Sequence, residues 1–299
     1  MSVKLFFFLE IEIDSHPSVT MSSYPISIFI PAHVSLFFSP FLSPNPLKSG
    51  STGAGITLSD GLTFTASSSK ESLLTINGSE VHMEVANIIF NSLPFPIHVE
   101  AQTSLPLGSG FGLSGAVALG IISSAQTLFN LSFSPEDIVR MAHSADVSAG
   151  TGLGDVMSQS RGGVPIRVQP GGPGYGVLDE IPETTRIEYL SFNSMDTHTI
   201  LSGDLSKLQS MGSESLNSLL QNPSLDSLFD LGYKFTLETN FMTPIVEEAI
   251  NTVRDYGGKA TMAMLGETVI SLETGLSDVG YAPNICEIYS PEKPLFEIN

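Results

Sequence analysis

The sequence predicts an α+β protein of two domains, and three observations predict it. At 299 residues the chain is long enough for about two domains, each with a core of its own. Runs rich in β-branched and aromatic residues alternate in mixed order with runs of helical period, and no internal repeat is visible. One stretch, Gly112 to Phe129, is apolar on nearly every face, as expected of a helix buried against a sheet.

Taken in order, residues 1–20 read as an N-terminal extension, either an upstream start or one added strand. The short apolar run MSVKLFFFLEIEI lacks the charged start and small-residue cleavage site of a signal peptide. Tyr24 to Phe38 reads as a strand interrupted by Pro31, followed by a loop over Ser43 to Gly55. Strands are expected at Gly61 to Ala66 and Ser72 to Ile76, a helix over Val81 to Leu93 and a strand over Phe95 to Thr103. Behind the Gly112 helix, the SPED run offers Ser134 as N-cap and Pro135 as first helical residue, with Glu136 and Asp137 complementing the positive helix end. Ala149 to Gly154 reads as a flexible loop before another helical stretch, and Gln169 to Gly176 as a hairpin bend near a domain boundary. The second half reads as a strand at Arg186 to Phe192 and helices at Asp204 to Leu220, Leu225 to Leu237 and Thr243 to Tyr256. It ends on a hairpin over Ala260 to Leu272.

Composition limits the function classes. Acidic residues outnumber basic ones 31 to 12, for a formal charge of −19, which argues against a nucleic-acid or anionic-membrane surface. Basic side chains are scarce, so a phosphate ligand would require a divalent metal and oriented backbone amides. The one cysteine, Cys286, excludes an internal disulfide and a Cys-based zinc cluster and fits a reducing, cytoplasmic compartment. No window approaches the length of a membrane span.

The segment Pro106 to Ala116, PLGSGFGLSGA, sets four glycines and two serines at the start of the buried helix. Gly108, Gly110 and Gly112 permit positive φ and close ligand approach, and Ser109 and Ser114 offer hydroxyls, so the segment reads as a phosphate cradle or as a bare glycine-rich helix start. It lacks the Lys-Ser/Thr ending of a Walker loop, and no acid follows at the position a dinucleotide fold needs. Downstream, AHSADVSAGTGLGDV brings His143, Asp146 and Asp155 within thirteen positions of one another. For phosphoryl transfer, Ser114 and Asp146 would suit a metal and Asp155 the attacking hydroxyl. The plain alternatives are a helix cap for Ser114, a solvated helix end for Asp146 and a helix N-cap for Asp155; His143 by itself reads as structural.

These motifs resemble the GHMP kinases. The family's G-L-G-S-S appears as Gly110, Phe111, Gly112, Leu113 and Ser114. Within that family the chain is most similar to the archaeal pantoate kinases, through IPAHVSLFF (Ile30 to Phe38), GSTGAGI (Gly50 to Ile56), SGFGLSGA (Ser109 to Ala116), AHSADV and TGLGDV, RGGVPIRVQPG (Arg161 to Gly171) and ATMAMLGETV (Ala260 to Val269). The set runs in order over about residues 24 to 290.

The resemblance implies a two-domain GHMP fold. Residues 21–180 would form an ATP-binding domain with a left-handed βαβ unit, residues 181–299 a ferredoxin-like domain, and the active site the cleft between them. It implies an ATP- and Mg²⁺-dependent small-molecule kinase acting on pantoate in coenzyme A synthesis, working as a homodimer. Pro106, Gly108, Ser109, Gly110, Phe111, Gly112, Leu113, Ser114 and Gly115 would bind the nucleotide, Ser114 and Asp146 the metal, and Asp155 would be the catalytic acid. Cations for the pantoate carboxylate are sought first at Arg167, then at His33, His143, Lys48 and Arg161. Two features depart from the family pattern: Asp146 stands where Glu is more common, and Thr52 where a basic residue is expected. The alternatives are a GHMP kinase for a mevalonate- or homoserine-like acceptor, or a catalytically silent nucleotide-binding regulator.

Overall fold

The computed structural model describes residues 27–193 and 205–289, together with the backbone of strands β1 (Ser2–Leu5) and β2 (Leu9–Glu12). Those two strands pair antiparallel, Val3 opposite Ile11 and Lys4 opposite Glu10, so the N-terminal segment adds a hairpin where one strand was expected. The expected strand start at Tyr24 and helix start at Asp204 lie outside the described residues.

Two long strands, β3 (Ile28–Phe41) and β4 (Gly50–Ser68), pair antiparallel through their length and form the spine of the molecule. Their register slips between Pro31 and Ala32, where proline has no N–H to give to the ladder, and again between Ser35 and Phe37. β4 also pairs with β7 (Ile97–Gln102) and β8 (Val164–Gln169), building a seven-stranded sheet with β5 (Leu73–Ile76), β6 (Ser79–Glu80) and β9 (Val177–Ile181). The order is β6-β5-β7-β4-β8-β9, with β3 on β4, and β5 runs parallel to β7 across helix α1 (Glu84–Ser92).

Helix α2 (Leu113–Phe129) packs on β3 and β4. Its buried residues include Ala116, Leu119, Ile121, Ile122 and Ser124, which leaves no polar stripe, as its all-round apolar sequence requires. α3 (Pro135–Ala149) starts on the expected cap: Ser134 accepts from the Asp137 amide while the Asp137 side chain accepts from the Ser134 amide. The short helix α4 (Asp155–Arg161) completes the first layer.

The second sheet is antiparallel, ordered β11-β12-β10-β13, from β10 (Arg186–Asn193), β11 (Ala260–Ala263), β12 (Glu267–Leu272) and β13 (Asn284–Glu287). Helices α5 (Ser206–Gln221) and α6 (Leu225–Thr239) contact β3, and α7 (Pro244–Asp255) lies on β11 and β12; the short α8 (Gly275–Asp278) closes the set. β3 is therefore buried between α2 on one side and α5 and α6 on the other, which accounts for its nearly continuous burial. The chain after β13 returns to β4, where the Tyr289 amide donates to the Thr57 carbonyl at 2.8 Å, and the Tyr189 hydroxyl of β10 donates to Asp60 at 2.7 Å. The two sheets are thereby joined beside the glycine-rich segment.

Candidate active site

At that junction lies a cleft of about 460 Å³, lined by residues from β3, the glycine-rich segment, the α3–α4 loop and the β11–β12 turn. Glycine makes the start of α2 possible: Gly112, its N-cap, has φ 63 and ψ 29, and no side chain caps the helix. The first amides of a 17-residue helix therefore remain for a ligand, with the helix dipole behind them. Gln159 Nε2 of α4 donates to the Gly112 carbonyl at 2.9 Å, and Thr268 Oγ1 of β12 donates to the Ser109 carbonyl at 2.8 Å, so the segment is braced by α4 and by the second sheet. Phe111 packs edge-on against Tyr189, with ring centres 5.1 Å apart.

Asp146 sits in the last turn of α3 and is 2% exposed, so it is not a solvated helix end. Its carboxylate accepts from Thr151 Oγ1 at 2.7 Å and from the Ser114 hydroxyl. Burial, and then the charge of Asp155, push its pKa up to about 7 against the pull of those two hydrogen bonds. Asp155 is the first residue of α4, whose N-cap is Gly154, so the capping alternative for Asp155 fails. Its side chain is 22% exposed, opens on the cleft, and has Oδ1 2.7 Å from His33 Nδ1. A Cβ added at Gly112 would lie 2.9 Å from Asp155 Oδ1, which sets the carboxylate directly against the start of α2.

Arg167, on β8, is buried beneath the cleft. Its guanidinium donates to Ser158 Oγ and to Ser35 Oγ, each at 3.0 Å, and stands 3.5 Å from His33 Nε2. Burial lowers its pKa to about 10 against the pull of Asp155, which leaves it charged at neutral pH. Its Nε atom has no partner among the described residues.

The structure brings together Gly108, Gly110, Phe111, Gly112, Leu113, Ser114 and Asp155 along the cleft, with Asp146 hydrogen-bonded to Ser114 just behind. It does not bring in three of the expected nucleotide residues. Pro106 is exposed outside the cleft; Ser109 is turned away, its hydroxyl donating to the Asn193 carbonyl; Gly115 lies on the inner face of α2 against Val156 and Gln159. Three substrate candidates likewise lie outside the residues lining the cleft. Lys48 is exposed over the Tyr175 ring, Arg161 is ion-paired with Glu180 at the surface, and the His143 ring is buried against the Ser49 carbonyl at 2.9 Å. His33 meets the site through Asp155, with its side chain fully buried. Ser35, Ser158, Thr151 and Gln159, and the apolar lining residues Val81, Met83, Leu107, Met264 and Leu265, were not anticipated. Ser158 and Gln159 stand on α4 one turn after Asp155, a signal the spacing did offer, whereas the others reach the site through sheet pairing or loops.

A helix end stripped of side chains, with paired acids beside it at a cleft where two sheets join, has the parts that phosphoryl transfer needs. The family model for the GHMP kinases N terminal domain matches residues 80–163. The chain is 31% identical over 294 residues to the pantoate kinase of Thermococcus kodakarensis, covering 90% of this chain and 97% of that relative. It is likewise 31% identical over 274 residues to the pantoate kinase of Methanocaldococcus jannaschii, covering 88% and 100%. A solved structure described as a phosphotransferase related to the CoA biosynthesis pathway superposes with a TM-score of 0.78, at 28% identity, over 89% of this chain and 97% of that one. The chain belongs to the pantoate kinase family.

Proposed function

We propose that the protein transfers the γ-phosphoryl group of ATP to the primary hydroxyl of pantoate, giving 4-phosphopantoate for coenzyme A synthesis. The observation that carries this is Asp155, a half-open carboxylate aimed into the cleft within reach of the bare α2 N-terminus. There a hydroxyl and a phosphate can meet.

The donor set fits a hard divalent cation. Two carboxylates approach closely enough for one to raise the other's pKa, and Ser114 adds a hydroxyl oxygen. Ser114 and Asp146 would hold a Mg²⁺ ion, and when bound it neutralises charge on the phosphates. The amides at the start of α2 bind and orient the triphosphate, and Asp155 accepts the proton as the hydroxyl attacks. Arg167, the cation beneath the cleft, offsets the pantoate carboxylate, and Phe38, Met264 and Leu265 suit its dimethyl carbon.

We further propose that the two sheets are two domains, residues 21–180 and 181–299, and that the enzyme is a cytoplasmic homodimer. Sedimentation at twice the chain mass is the expected outcome for the last point. The function is tested by ³¹P NMR of a reaction with Mg-ATP and pantoate. A new phosphate monoester coupled to the C4 methylene protons is expected; ATP left intact, or ADP formed without that product, would refute it.

A further inference from the structure

We propose that His33 is a positioning residue for Asp155, held by Arg167 as the neutral tautomer whose Nδ1–H donates to the carboxylate. The proposal deepens the kinase reading above and rests on it for its kinetic consequences.

The tautomer follows from donor chemistry. A guanidinium has only donors, so a ring nitrogen facing Arg167 Nη1 at 3.5 Å presents its lone pair. The remaining proton then lies on Nδ1, 2.7 Å from Asp155 Oδ1. Burial, with Arg167 adding to it, lowers the His33 pKa more than Asp155 raises it, so the ring stays neutral.

The ring is held from several sides. Its side chain is fully buried, and a Cβ at Gly55 would lie 2.6 Å from Nε2, so that glycine leaves space the ring uses. The His33 amide donates to the Phe111 carbonyl at 3.1 Å, which joins the histidine to the nucleotide segment as well as to the base. Arg167 is in turn fixed by Ser35 on β3 and Ser158 on α4.

The consequence is a carboxylate with one oxygen committed to Nδ1–H and the other left for the hydroxyl. In the transfer, the O–P bond forms, the bond to the ADP oxygen breaks, and the hydroxyl proton passes to Asp155. It goes no further, because protonating Nε2 would put a second positive charge against Arg167. His33 thus orients the base without joining the proton transfer.

The test compares His33→Asn, His33→Gln and His33→Ala. Asparagine returns an N–H near the Nδ1 position, whereas glutamine fills more of the ring's volume but carries its amide toward Nε2. Positioning predicts kcat within about tenfold of the parent for Asn and a loss of about 10²- to 10³-fold for Gln and Ala, with the KM for ATP within about twofold. In an Asp155→Asn background, His33→Ala is expected to remove little further activity, since the two act as a unit. Gln outperforming Asn, an Ala loss confined to KM, or an undiminished Ala effect in that background would overturn it. A readout free of folding and turnover is the ¹⁵N spectrum of histidine-labelled parent protein: a His33 ring protonated at Nδ1 and bare at Nε2 is expected. The opposite tautomer rules the proposal out whatever the substrate, whereas a failure to phosphorylate pantoate with the expected tautomer present counts against the kinase reading alone.

Discussion

Two glycine-dense segments face each other across the cleft, and they use glycine for different physical reasons. At Gly112 the need is conformational as well as spatial: φ 63 lets the chain turn into α2 with no side chain over its amides, and a Cβ there would lie 2.9 Å from Asp155 Oδ1. At Gly152 the need is space, since φ is not in the left-handed range but a Cβ would lie 2.1 Å from Asp146 Oδ2. One segment bares its backbone for an anion, and the other makes room for a neighbour's carboxylate. Glycine content alone cannot separate the two; in the proposed reaction one would face the phosphate and the other the cation that accompanies it.

The largest expected effect comes from the side chain that both segments border. Asp155→Asn should lower kcat by about 10²- to 10⁴-fold while calorimetry shows ATP binding retained. Loss of nucleotide binding in step with turnover would merge the two regions into one electrostatic site and break the comparison. Next in size, Gly152→Ala should turn the Asp146 carboxylate aside and lower kcat/KM by about 10- to 100-fold, with partial recovery as Mg²⁺ is raised. Gly112→Ala should not recover with Mg²⁺. It should raise the KM for ATP, lower kcat because its Cβ presses on the Asp155 carboxylate, and cost about 1–2 kcal/mol in denaturant stability, because alanine resists the left-handed conformation. A magnesium titration on both variants separates them, and identical curves would contradict the division of roles. The smallest effect is expected at Gly174, in the third glycine-rich segment, which has φ +87 and nothing within 4 Å of an added Cβ. Gly174→Ala should lose about 1 kcal/mol of stability and leave the kinetics unchanged.

What the sequence made legible follows the same division. The α2 start, the Ser134 cap and the acids at Asp146 and Asp155 could be read because each depends on residues near in the chain. Gly50 to Gly55 read as loop, since glycine and serine are turn formers, yet they open β4, where pairing with β3 and β8 overrides local preference. His33 and Arg167 were visible only as scarce cations. Their actual relation, a line through Nε2 and Nδ1 to Asp155, joins residues 122 and 134 positions apart and exists only once β3, β8 and α4 are packed. Lys48 and Arg161 stand away from the cleft for the converse reason: nearness in sequence to a motif says nothing about which face of the fold a long side chain leaves from.

The most direct test is steady-state ADP release with Mg-ATP and, separately, pantoate, mevalonate, homoserine and glycerate, each run beside Asp155→Asn. The account predicts that pantoate gives the highest kcat/KM of the four and that the variant abolishes most of that turnover. A preference for another acceptor, or pantoate phosphorylation undiminished in Asp155→Asn, would contradict it.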